Sequence, residues 1–115
     1  MGTTIESQRL DALFTALSDR TRRDIVARLS TGEATVKELA EPYAMTMQAV
    51  SQHIRVLQRS GLISQGRHRQ TRPCRLEPEA LEAALSWIEE SRRTWSDRMD
   101  RLETHLASLQ ERVDQ

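Results

Sequence analysis

Residues 46–61 read TMQAVSQHIRVLQRSG, and this stretch decides the fold. Thr46 is a residue type that caps the start of a helix, and Gly61 is typical of the position just past a helix end. The apolar residues between them recur with helical spacing and form one stripe: Val50, Ile54 and Leu57. The other side is polar and contains no acid: Gln48, Ser51, Gln52, Arg55 and Arg59. The stretch therefore predicts an amphipathic helix, 46–59, whose polar face is turned outward.

A shorter helix is predicted immediately before this one. Thr35 and Glu38 have the spacing of a capping box, in which each side chain bonds to the backbone of the other residue. Pro42 disfavours helical geometry at Glu41, so we expect a turn within a few residues. Two short helices joined by a tight turn, the second polar on its outer face, are typical of a helix-turn-helix, here over residues 35–59.

After the second of these helices the pattern changes to two short strands, 62–67 and 72–76, with a connection between them. Pro73 has no amide hydrogen to donate, so the second strand is expected at a sheet edge. A hairpin over residues 62–77 beside a helix-turn-helix is a wing. The predicted fold class is therefore mainly α with a small β-hairpin, a winged helix-turn-helix, in a single domain over residues 1–115.

Helices are also predicted at both ends of the chain. Apolar spacing indicates helices over residues 8–17 and 19–30. In the C-terminal part, apolar residues follow a heptad pattern that only Arg92 interrupts: Leu81, Leu85, Ile88, Trp95, Met99, Leu102, Leu106, Leu109 and Val113. The pattern predicts either one helix over residues 78–112 or a helix pair bent near 91–94. One helix of that length would span about 50 Å, so it needs a partner, most simply a second copy.

The charges of the chain are sorted along its length although the formal net charge is zero. Residues 1–19 carry −2, residues 20–75 carry +7 and residues 77–115 carry −5. One basic segment in a neutral chain is typical of contact with a polyanion. Aromatic residues are too scarce to build a stacking platform for a single strand, so double-stranded DNA is the predicted partner.

The candidate DNA contacts lie on the 46–59 helix and on the wing. Outward side chains near the start of such a helix reach base edges in the major groove, and backbone amides there favour a phosphate. The helix candidates are Thr46, Met47, Gln48, Ser51, Gln52 and Arg55. The wing candidates are Arg67, His68, Arg69 and Arg72, which suit phosphates or a narrow minor groove.

Two residues have two interpretations each. His53 is either a DNA contact or ligand, or a residue at the core edge that bonds to a neighbouring helix, because it lies beside the buried stripe. Cys74 is either a redox-active thiol, its pKa lowered by Arg72 and Arg75, or a small apolar side chain on a strand.

Three segments together carry a family resemblance: LSDRTRRDI at 17–25, VKELA at 36–40 and AVSQHIRVL at 49–57, followed by Gly-Leu-Ile at 61–63. Over roughly residues 9–77 the chain resembles the ArsR family of winged-helix repressors. The resemblance implies a dimer formed by the first and last helices, with recognition helices in successive major grooves. The implied dimer contacts are Leu10, Leu13, Trp95, Met99, Leu102, Leu106 and Leu109.

The metal-sensing sites of that family do not match this chain. The cysteine pair of the helix before the turn is missing from residues 36–41. The last helix offers a single histidine with carboxylates: Asp97, Asp100, Glu103 and His105. We therefore predict no metal and no cofactor.

The function predicted from these features is a sequence-specific regulator of transcription, a homodimeric repressor that binds a partly palindromic operator. The alternative is a protein-interaction module that uses the C-terminal helix. A glycine-rich phosphate loop and a nucleophile beside a base are both missing, so an enzyme is not expected. No signal peptide and no long apolar run are found, which predicts a cytoplasmic protein without membrane contact.

Overall fold

A computed structural model describes residues 2–66 and 72–114, with side chains from residue 5 onward. The elements follow in the order α1 (Gly2–Leu17), α2 (Arg20–Leu29), α3 (Val36–Ala40), α4 (Met47–Ser60), β1 (Ile63–Gln65), β2 (Cys74–Leu76) and α5 (Pro78–Asp114). The predicted fold class, mainly α with a small β-hairpin, is confirmed.

Several element bounds differ from the sequence prediction. Helix α1 begins at Gly2, six residues earlier than the predicted start, because residues 2–7 have no apolar periodicity that could reveal a helix. Both strands are only three residues long. Glu41 keeps right-handed helical angles (φ −52°, ψ −46°), which Pro42 was expected to disfavour, but α3 ends at Ala40 and the predicted turn follows at residues 41–42. Of the two alternatives for the C-terminal part, the structure has one continuous helix, α5.

The contacts divide the chain within α5 into two compact units, one ending at Ala84 and one beginning at Leu85. The first unit contains the core, and its largest fully buried side chains come from α1 to α4, from β2 and from the residue just before β1: Leu13, Ile25, Leu39, Val50, Leu57, Leu62 and Cys74. Leu13 is therefore not available as a dimer contact, which corrects the prediction for that residue. Leu10 is half-buried and packs against the same core.

The helix starts of the first unit are capped by the residues that the sequence indicates. Thr35 and Glu38 form the predicted capping box before α3, and the backbone N–H of Thr35 holds the pKa of Glu38 below its usual value. The Thr46 hydroxyl accepts from the amide of Ala49 (3.1 Å) at the start of α4. Gly61 ends α4 in the left-handed region (φ +86°), where a side chain would be strained.

The sheet pairs β1 with β2 antiparallel, so that Ile63 faces Leu76 and Gln65 faces Cys74. On its other side Cys74 exchanges two backbone hydrogen bonds with Ala34, at 2.7 and 3.2 Å. Strand β2 is thus bridged to Ala34 only at Cys74, and in this two-stranded sheet it is an edge strand, as Pro73 predicts. Pro73 precedes β2, so its missing amide hydrogen leaves no gap in the hydrogen bonds of the strand. Its carbonyl accepts from the amide of Gly66 (2.9 Å).

The second unit, residues 85–114, carries an uncovered apolar stripe on α5. Its large side chains are between 39% and 78% exposed: Leu85, Ile88, Trp95, Met99, Leu102, Leu106, Leu109 and Val113. The polar interruption of the stripe, Arg92, forms an ion pair with Glu89 at 3.0 Å. Across the part of the chain that the structure describes, no helix has the length and apolar character needed to cross a membrane.

Candidate nucleic-acid interface

Helix α4 presents a polar face to solvent because its apolar face is fully used in the core. Val50, Ile54 and Leu57 are at most 2% exposed. On the other side five side chains are exposed and Ser51 is half-buried; the exposed ones are Met47, Gln48, Gln52, Arg55 and Arg59. Thr46, which precedes the helix, is also exposed. All six predicted contacts of this helix therefore lie together at its outer surface.

Two of the outward side chains form a hydrogen bond with each other. A guanidinium N–H of Arg55 donates to Oε1 of Gln52 (3.3 Å). Gln52 and Arg55 line an open hollow on α4 together with Gln58 and Arg59. The first amides of α4 have no acceptor within their own helix, so the N-terminal end of this face attracts an anion.

A chain of side-chain amides connects α4 to the stem of the wing. Gln58 Nε2 donates to Gln65 Oε1 (3.1 Å), and Gln65 Nε2 donates to the carbonyl of Arg72 (3.3 Å). Arg72 is exposed and has a positive φ of +31°, an uncommon conformation for a residue with a side chain. Of the predicted wing contacts, Arg67, His68 and Arg69 lie outside the described residues. The sequence offered no signal for this amide chain, since glutamine is common on exposed surfaces.

Three arginines of the basic segment stabilise helix ends in the first unit. Arg22 donates to the carbonyls of Ala16 (2.7 Å) and Thr15 (3.2 Å), at the end of α1. Arg23 donates to the carbonyl of Leu17 (2.8 Å), and Arg28 donates to carbonyls at the end of α3. Cations at helix C-termini satisfy carbonyls that have no intrahelical donor. The charge count along the sequence did not separate these three side chains from those on the outer face of α4.

His53 links α4 to α2. Its Nδ1 lies 3.2 Å from a guanidinium nitrogen of Arg22 and 3.7 Å from Oδ2 of Asp19. Asp19 caps α2 by accepting from the amide of Arg22 (3.1 Å), and this hydrogen bond holds the pKa of the Asp19 carboxyl below its usual value. The half-buried position and the bond to a neighbouring helix favour the core-edge interpretation of His53 over a DNA contact.

Cys74 is fully buried on β2, and burial raises the pKa of its thiol. The hypothesis of a thiol with a lowered pKa is therefore wrong, and Cys74 is a small apolar side chain of the core. Within residues 5–66 and 72–114, no three His, Cys, Asp or Glu side chains are grouped so that they could hold a metal ion.

Comparison with known proteins matches residues 17–65 to the family model described as a helix-turn-helix domain. The HTH-type transcriptional regulator Rv2034 of Mycobacterium tuberculosis is 40% identical over 73 residues, which cover 64% of this chain and 68% of that protein. The transcriptional repressor SdpR of Bacillus subtilis is 29% identical over 69% of this chain and 88% of its own length.

Solved structures show the same fold. The crystal structure of an ArsR family transcriptional regulator, RHA00566, is 38% identical, covers 78% of this chain and 93% of its own, and has a TM-score of 0.74. An ArsR-like transcriptional regulator from Rhodococcus sp. RHA1 is 26% identical, covers 90% of this chain and 95% of its own, and has a TM-score of 0.75.

Proposed function

The chain belongs to the ArsR family of winged helix-turn-helix proteins and is a DNA-binding transcriptional regulator, and we propose that it is a homodimeric repressor of a partly palindromic operator. The observation that carries the proposal is the outer face of α4, which is exposed, free of acids and continuous from Thr46 to Arg59. A repressor of this kind blocks transcription by occupying its operator.

Base reading is assigned to the side chains on this face. Gln48 and Gln52 can each form two hydrogen bonds with an adenine, Arg55 can do so with a guanine, and Ser51 suits either base. The amides at Thr46 and Met47 suit a phosphate. The wing residues add contacts that position the protein without selecting a sequence: Arg67, His68, Arg69 and Arg72.

A second copy of the chain is the partner proposed for α5. The stripe from Leu85 to Val113 exposes eight large apolar side chains and is interrupted only by Arg92, and monomeric proteins rarely leave such a surface uncovered. Two copies related by a two-fold axis would present two α4 helices, and their half-sites would lie about 34 Å apart, one turn of DNA. Proposed dimer contacts are Leu10, Trp95, Met99, Leu102, Leu106 and Leu109.

The test begins with selection of bound sequences from random duplex. The double variant Gln52→Ala with Arg55→Ala should bind the selected operator no better than random duplex, because the groups that distinguish bases are gone. The variant Arg101→Ala, which removes a charge from the second unit, is the control and should discriminate as the parent does. Discrimination that survives in the double variant would show that α4 is not the reading helix.

The competing function, a protein-interaction module, also accounts for the exposed stripe on α5. The salt dependence of duplex binding distinguishes the two functions. A protein that neutralises several phosphates loses duplex affinity steeply as salt rises, whereas an interaction module has no duplex affinity to lose.

A further inference from the structure

Met47 is exposed in a part of the molecule where most large apolar side chains are covered. Among the described side chains of the first unit, residues 5–66 and 72–84, only Ile5 and Met47 are large apolar side chains with strong exposure, at 73% and 49%. Ile5 lies in the first turns of α1, whereas Met47 is the first residue of α4.

The capping of α4 does not require an apolar side chain at this position. A helix start is often stabilised by an apolar residue just before the cap that packs near the fourth helical residue. Met45 takes that place here: it is half-buried against the core cluster that contains Val50. The cap of α4 and its apolar contact are therefore complete without the Met47 side chain.

The position of Met47 on α4 places it among the proposed base-reading residues. Ser51 and Arg55 follow it at intervals of four, so the three side chains form one row along the helix. Residues at the N-terminal end of a recognition helix approach base edges most closely. In the major groove the apolar group on a base edge is the C5-methyl of thymine. An unbranched thioether side chain adapts well to such a contact.

We propose that Met47 contacts the methyl group of a thymine next to the base pair that Ser51 reads, and so adds a thymine preference to each half-site. The proposal rests on entry of α4 into the major groove. It names an apolar specificity contact beside the hydrogen-bonding ones, and it would favour thymine over cytosine at one position of each half-site.

The test removes only the methyl group. Each thymine in one half-site of the selected operator is replaced in turn by deoxyuridine, and the affinity of the parent protein is measured. At one position we expect binding to weaken about three- to fivefold, the size of the effect of burying one methyl group. Met47→Ala should weaken binding to the unmodified operator by at least that factor and should no longer respond to deoxyuridine at that position.

Gln48→Ala is the matched control: it should weaken operator binding through loss of its own base contact, but the ratio of affinities for thymine and deoxyuridine at that position should stay as in the parent. A deoxyuridine effect that persists in Met47→Ala, or that is absent from the parent, overturns the assignment. These outcomes differ from failure of the proposed function, in which the parent protein itself would not distinguish the selected operator from random duplex.

Discussion

Helices α4 and α5 are both amphipathic, but their apolar faces have different fates. The stripe of α4 is at most 2% exposed at Val50, Ile54 and Leu57, whereas the stripe of α5 beyond Ala84 is at least 39% exposed. An apolar face covered within its own unit leaves the opposite polar face free for a ligand. An uncovered apolar face is instead typical of a surface that binds a partner. Under the proposed function, the same sequence pattern serves recognition in one helix and assembly in the other.

The largest effect is expected from breaking the stripe of α5. Leu102→Glu with Leu106→Glu places two charges on the uncovered face and should yield monomers in sedimentation velocity. Operator affinity should fall about a hundredfold or more, because the two half-sites are then no longer bound as one linked unit. The control adds the same charges off the stripe, as Thr104→Glu with Ala107→Glu, and should remain dimeric. A stable dimer in the first variant would refute the proposed interface.

A smaller effect is expected from loosening the contact that holds α4 to α2. Arg22→Ala removes hydrogen bonds to two α1 carbonyls and the contact with His53. The free energy of unfolding of this variant, measured by urea denaturation, should therefore be lower than that of the parent by about 2–3 kcal/mol. Arg20→Ala, an exposed neighbour of equal charge, should change stability by less than about 0.5 kcal/mol. Equal stability of the two variants would contradict the capping role of Arg22.

The smallest effect is expected from the amide chain between α4 and the wing. Gln65→Leu removes the acceptor for Gln58 and the donor to the Arg72 carbonyl, and should weaken operator binding about threefold without changing the folded structure. Gln58→Leu breaks only the bond to Gln65 and should weaken binding no more than Gln65→Leu does. The double variant should be no weaker than Gln65→Leu alone, because both changes break the same connection between α4 and the wing. Additive losses would indicate that the two glutamines act separately.

Features with a local cause were the ones that the sequence predicted well. The caps at Thr35 and Thr46 and the left-handed Gly61 follow from residues within a few positions of one another. The stripe of α5 follows from its spacing alone. Its exposure could be anticipated only by the length of the helix, since periodicity shows which face is apolar but not what covers it. Leu13 illustrates that limit, because its stripe is covered by the core of its own unit.

Features that depend on distant partners could not be predicted in this way. The bridge between Ala34 and Cys74 joins positions 40 residues apart through a single pair, which leaves no periodic signal. The roles of Arg22, Arg23 and Arg28 depend on where the ends of α1 and α3 lie in space. The charge count of the sequence does not distinguish these arginines from Arg55 and Arg59 on the outer face of α4.

Because Cys74 is buried, the rate at which its thiol reacts reports how often the surrounding structure opens. Cys74 is the sole cysteine of the chain, it is fully enclosed, and its strand is hydrogen-bonded on both sides. An alkylating reagent can reach the sulfur only when the surrounding structure opens, and that opening also removes the burial that raises the pKa of the thiol. Labelling kinetics of the unmodified protein, with and without duplex, would therefore measure how firmly DNA holds the base of the wing closed.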